Sequence, residues 1–250
     1  MLGALLLTAT ISQGHFVERV VTVDGVERRY QVWIPAGYDS SRQWPAILFL
    51  HGAGERGSDN RRQTEVGLGP ALREGIVSVP AVIAFPQCPD EGYWAGPERH
   101  IAMAVLDAVE KEFSIDKRRV TLTGLSMGGT GTWILAAENP RRFAAIAPVC
   151  GWVSTPPPFR TVADPPDWLW NAPDRFDAVA RRIGDTPTWI LHGGLDTVVP
   201  PEESRQMIAR LGVNAAYTEF PQANHNSWDP AYRTTGVVAW LARQRLSSRA

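Results

Sequence analysis

Val120-Thr-Leu-Thr-Gly124-Leu-Ser126-Met-Gly128-Gly-Thr-Gly131 is the stretch whose reading decides the fold. It joins an apolar, β-type run to a helical one through the pentapeptide Gly124-Leu-Ser126-Met-Gly128. A G-x-S-x-G at such a junction specifies a turn too sharp for side chains at its flanks, and it lifts the serine hydroxyl clear of the sheet at the start of a helix. Ser126 is therefore the candidate nucleophile. The pentapeptide alone is equally a glycine-rich turn with no chemical use, so its context must decide.

Working outward, Ile47-Leu-Phe-Leu-His51-Gly-Ala53-Gly-Glu-Arg-Gly57 lies upstream, and Ile190-Leu-His192-Gly-Gly-Leu-Asp196 and Asn224-His225-Asn-Ser-Trp228 lie downstream. Ser126, Asp196 and His225 thus occur in an order that differs from those of the chymotrypsin and subtilisin types. On these motifs the chain resembles the α/β-hydrolase serine esterases. Within them it is similar to feruloyl esterases, polyhydroxyalkanoate depolymerase-like esterases and predicted peptidases, over nearly its whole length.

The resemblance implies an α/β fold with a mostly parallel central sheet, helices on both faces and a short insertion near the active site. It implies Ser126, His225 and Asp196 as nucleophile, base and acid of an acyl-enzyme mechanism, with no metal or organic cofactor. The oxyanion hole would come from the backbone N–H groups of Ala53 and Met127, since the family uses the loop after the third strand and the residue following the nucleophile. His225 is the only histidine after Asp196, so no other base is available in that order. Taken singly, Asp196 could cap a turn and His225 could be a surface histidine; three coincident placements favour the joint reading. His51 is expected to order its loop rather than react.

Composition agrees with one such domain. The chain has 250 residues, 44% hydrophobic and 20% charged, with a formal net charge of -1. That suffices for a sizeable core, and we assign residues 16–250 to it. The scattered basic residues give nothing to draw nucleic acid or an acidic membrane surface. A small or polymer-attached ester is the expected partner. Residues 1–15 begin Met1-Leu-Gly-Ala-Leu-Leu-Leu7 and read either as a leader lacking a basic start or as an N-terminal element; the apolar run is too short to span a bilayer. Cys88 and Cys150 each follow an expected strand, with two other strands between, which predicts that they are not bridged.

In order, the pattern predicts a hairpin over residues 16–34 around Asp24-Gly25 and buried strands at 44–50 and 82–88. A short helix over the site follows within 61–74, and longer helices at 97–113 and from the elbow to Asn139. Next come a strand at 143–150, a proline- and tryptophan-rich insertion at 151–174, a helix at 177–183, a strand at 188–192, a helix at 201–211, a strand at 216–220 and a closing helix at 231–246.

Ten tryptophans are many for this length. Trp33, Trp44, Trp133, Trp189 and Trp240 fall in core elements. Trp94, Trp152, Trp168, Trp170 and Trp228 fall in loops at the C-terminal edge of the sheet, where aromatic faces suit an aromatic acyl group or a sugar ring. Packing of the insertion is the competing role. Trp94 and Trp228 are the expected substrate contacts, with short-chain or hydroxycinnamoyl esters preferred. A peptidase or an acyltransferase would use the same three residues, whereas a non-catalytic binding module on this fold would more often lack one of them.

Overall fold

The computed structural model describes residues 13–154 and 165–247. Strands β1 (His15–Val23) and β2 (Val26–Ile34) form an antiparallel hairpin. Asp24 and Gly25 both take positive φ, 51° and 76°, as a two-residue turn matched to strand twist requires. Six strands follow: β3 (Trp44–Leu50), β4 (Val82–Pro86), β5 (Ile115–Leu125), β6 (Ile146–Val149), β7 (Thr188–Gly193) and β8 (Ala215–Phe220). They make one eight-stranded sheet in the order β1-β2-β4-β3-β5-β6-β7-β8. The β2–β4 pair is antiparallel, and every pair from β4 to β8 is parallel.

Every residue of β3 and β4 is buried, because a parallel strand covered on both faces must be apolar throughout rather than alternating. One face packs under α2 (Arg99–Glu112), α3 (Met127–Glu138), α5 (Arg175–Ile183) and α6 (Glu202–Ile208). The other packs under α1 (Leu68–Arg73), α7 (Trp228–Thr234) and α8 (Val237–Arg243). The short α4 (Asp167–Trp170) lies within the proline-rich stretch 151–174. Helix α3 has no polar face, and all its residues from Met127 to Ala137 are buried; it is an interior helix holding the elbow against the sheet.

Three expectations change. The single closing helix is two helices: Thr234 and Thr235 turn their hydroxyls back onto the carbonyls of Pro230 and Ala231, and Gly236 then reverses the chain at φ 75°. Strand β5 starts at Ile115, earlier than its apolar run, because Arg118 and Arg119 donate to the carbonyls of Leu246 and Ala242 and so bind that charged stretch to the chain's end. At the other end, His15 already pairs with Ile34 and Gln13 donates to the carbonyls of Leu72 and Arg73, so the domain begins before residue 16. The proposed leader otherwise falls on residues 1–12 and much of the insertion on 155–164, both outside the described residues. Cys88 and Cys150 are free and buried, at the ends of β4 and β6 with β3 and β5 between them. Among the described residues no helix is long and apolar enough to cross a membrane.

Candidate active site

The elbow forms where the sequence places it. Ser126 lies between β5 and α3 at φ 52° and ψ -116°, a conformation that costs a non-glycine residue free energy of order 1–3 kcal/mol. A β-carbon on Gly124 would collide with the Gly128 carbonyl, and one on Gly128 with the Leu50 carbonyl. Only glycines let strand, helix and the neighbouring strand end approach this closely.

The structure brings the three separated residues together. Ser126 Oγ lies 2.9 Å from His225 Nε2, and His225 Nδ1 lies 2.6 Å from Asp196 Oδ2. A carboxylate only accepts, so Nδ1 carries the proton and the Nε2 lone pair faces the serine. Asp196 Oδ1 accepts the N–H groups of Val198 at 2.8 Å and Val199 at 2.9 Å, while His192 Nε2 approaches Oδ2 at 3.3 Å. Burial by itself would raise the Asp196 pKa, but the bonds from His192, His225 and Val199 outweigh it and hold the carboxyl well below its ordinary range.

Ala53 opens a short 3-10 turn, Ala53–Glu55, and Met127 opens α3. N–H groups at such first positions have no acceptor within their own helix. The loop that carries Ala53 abuts the serine, since a β-carbon on Gly52 would sit 3.7 Å from Ser126 Cβ. His51 underpins that loop: its Nδ1–H donates to the Gly52 carbonyl at 2.6 Å, and its Nε2 accepts the Cys88 N–H at 3.0 Å. Burial pulls its pKa down to about 4, so it is a neutral strut with both nitrogens committed.

Trp94 is corrected. Its indole is fully buried, donates to the His51 carbonyl at 3.1 Å, stands edge-on to the His51 ring and packs on Gly131 of α3. It supports the loop from beneath and has no face left for substrate. Trp152 is likewise buried. Trp228 remains at the site, half-buried and edge-on to the His225 ring with centroids 5.4 Å apart.

Sequence reasoning misses several supporting groups. Glu203 of α6 is buried and accepts the N–H groups of Val153 at 2.7 Å and Ser154 at 3.0 Å, together with the Ser154 hydroxyl. Nothing in the local pattern marks it. Cys150 lies beneath the site: its Sγ, an Asp196 carboxylate oxygen and a His225 ring nitrogen are all within 4.8 Å of one another. Burial pushes its thiol up to about 12, so it is a protonated packing group rather than a nucleophile. His192 precedes Asp196 by four residues, and nothing in the local pattern assigns it a partner.

Residues 23–234 match the Esterase family, described as "Putative esterase". "Probable feruloyl esterase C" of Aspergillus terreus is 30% identical over 163 residues, 61% of this chain and 58% of that one. "Putative esterase NocK" of Nocardia uniformis subsp. tsuyamanensis is 31% identical over 237 residues, 90% of this chain and 59% of that one. The crystal structure of a thermostable esterase superposes with a TM-score of 0.75 at 29% identity, covering 92% of this chain and 63% of that chain. The chain spans about three-fifths of the length of these relatives.

Proposed function

The chain belongs to the Esterase family, and from that membership and the site's geometry we propose that it is a serine carboxylic-ester hydrolase acting through an acyl-enzyme. The observation that carries this reading is the continuous hydrogen-bonded line from Ser126 Oγ through His225 to Asp196. Neutral His225 takes the Ser126 proton at Nε2 as Oγ attacks the ester carbonyl, and Asp196 stabilises the resulting imidazolium. The carbonyl oxygen, now an oxyanion, is held by the N–H groups of Ala53 and Met127; losing one such donor costs about 3 kcal/mol. His225 returns its proton to the departing alkoxide, then activates water to cleave the acyl-enzyme and restore Ser126.

The favoured substrates are short-chain or hydroxycinnamoyl-type esters, free or attached to a polymer. Trp228 supports an aromatic acyl group, because its indole lies against His225 at the reacting centre. The similarity to a feruloyl esterase points the same way.

The test pairs a variant with a probe. Ser126→Ala is expected to lose hydrolysis of p-nitrophenyl acetate and methyl ferulate by several orders of magnitude while unfolding at the same urea concentration as the parent. A fluorophosphonate should modify Ser126 in the native protein, as read by peptide mass. Modification of a different serine, or an active alanine variant, overturns the proposal.

A further inference from the structure

His192 on β7 is completely buried and both its ring nitrogens are engaged. Its Nδ1 lies 2.7 Å from Ser204 Oγ on α6, and its Nε2 lies 2.9 Å from the Val199 carbonyl and 3.3 Å from Asp196 Oδ2. Val199 O and the Asp196 carboxylate are both acceptors. The ring proton therefore resides on Nε2, donated to the Val199 carbonyl with Asp196 Oδ2 close beside it, and Nδ1 must accept from the Ser204 hydroxyl. In the opposite tautomer a bare nitrogen would face two oxygens in a buried site, which the low dielectric makes costly.

We infer that Ser204 and His192 form a positioning pair for the proposed catalytic acid: Ser204 fixes the His192 tautomer, and His192 then holds Asp196 Oδ2 toward His225. This rests on the triad reading given above and extends it to five residues in line, Ser204, His192, Asp196, His225 and Ser126. The arrangement has a physical purpose. Asp196 Oδ1 is fixed by two backbone N–H groups of its own loop, but among the described residues Oδ2 faces only histidine N–H groups, and His225 is the one that must change charge during turnover. A second donor keeps Oδ2 in place while that happens. Buried ionised carboxylates need every such donor, and the bond from His192 stands first among those that offset the burial of Asp196.

The experiment compares Ser204→Ala, His192→Gln and His192→Leu with the parent, measuring kcat and KM for p-nitrophenyl acetate together with urea unfolding midpoints. Ser204→Ala should lower kcat about tenfold, the loss of one hydrogen bond in a line that ends on a charge, with KM held within about twofold. His192→Gln, whose amide N–H can still donate to both oxygens, should retain more kcat than His192→Leu at similar volume. Should His192→Leu fail to fold, Ser204→Ala, which removes one hydroxyl, decides alone. An unchanged kcat in Ser204→Ala overturns the inference, as does equal loss in the Gln and Leu variants. Ser126→Ala, run alongside, separates the two readings. If it is inactive while Ser204→Ala is fully active, the positioning pair fails and the triad stands; if it remains active, the triad itself is wrong.

Discussion

Replacing Trp94 with alanine separates a packing role from a substrate-binding one. The indole is wholly buried between the His51 loop and Gly131 of α3. A tryptophan of this kind removes roughly 200 Å² from water, worth about 5 kcal/mol at 25 cal/mol per Å². Measured truncations of buried aromatics cost about 3–5 kcal/mol. The variant also strands the His51 carbonyl, which accepts the indole N–H at 3.1 Å, for about another 1 kcal/mol. A loss near 5 kcal/mol is a large part of the 5–15 kcal/mol that typically holds a domain folded, and at a urea slope of about 2 kcal/mol per molar it moves the midpoint by about 2.5 M. Far-UV circular dichroism in urea gives the midpoint without relying on tryptophan fluorescence. Whatever remains folded should hydrolyse acetate and aryl esters with kcat lowered alike, since the loop that carries the Ala53 N–H has lost its support. Trp94→Phe should fall between the two. An unshifted midpoint with KM raised for the aryl ester alone would refute the packing account.

Three other outcomes follow from the same geometry. Because burial pulls the His51 pKa from 6.5 to about 4, the unfolded chain binds a proton there that the folded chain does not; stability should fall by up to about 3 kcal/mol as pH drops through that window and level off below it. Urea midpoints at pH 7, 5 and 4 should lose this slope in His51→Gln, and identical slopes in both proteins would contradict it. Burial raises both thiols, Cys150 up to about 12 and Cys88 beyond the ordinary range, so iodoacetamide should label neither in the native protein and both in denaturant; a need for reductant would mean that they are bridged. Trp228→Ala should raise KM for methyl ferulate about three- to tenfold relative to p-nitrophenyl acetate, and parallel changes for the two esters would remove Trp228 from substrate recognition.

What was legible in the chain was what local sterics or continuous patterns encode. The Gly124 and Gly128 flanks need no tertiary knowledge to specify a sharp turn at Ser126. The uninterrupted apolar runs of β3 and β4 announce strands covered on both faces. Trp94 misleads because it stands among glycines and prolines, where exposure is the default. What buries it is a glycine at 131, on a helix far along the chain, that leaves room for the ring. The charged residues Asp116-Lys-Arg-Arg119 hide the start of β5, since the partners of Asp116, Arg118 and Arg119 belong to the C-terminal segment: Arg245 pairs with Asp116 at 2.5 Å. Gly236 sits inside an apolar pattern of helical period, and a lone glycine in such a run does not by itself distinguish one helix from two.

The cross-element partners of the groups that join one loop to the next at the C-terminal edge of the sheet, those of the loop-ordering His51 included, were not legible for a further reason. His51 ties the loop after β3 to the chain leaving β4 through the Cys88 N–H, Glu203 ties α6 to the segment after β6, and His192 ties β7 to α6 through Ser204. Each is a buried polar side chain whose partners lie on another element, so its burial cost is offset only in the folded state. The backbone is anchored in the same way. Ser126 N–H donates to the Val149 carbonyl and Cys150 N–H to the Leu191 carbonyl, both at 2.9 Å, and these two residues hold positive φ at the ends of adjacent strands. Extending the sheet's hydrogen bonds one residue past β5 and β6 over-determines both turns, and this is how a strained serine can persist at a reacting position. A strand that released Val149 would release the elbow with it, so the placement of Ser126 depends on the register of β6 as much as on its own glycines.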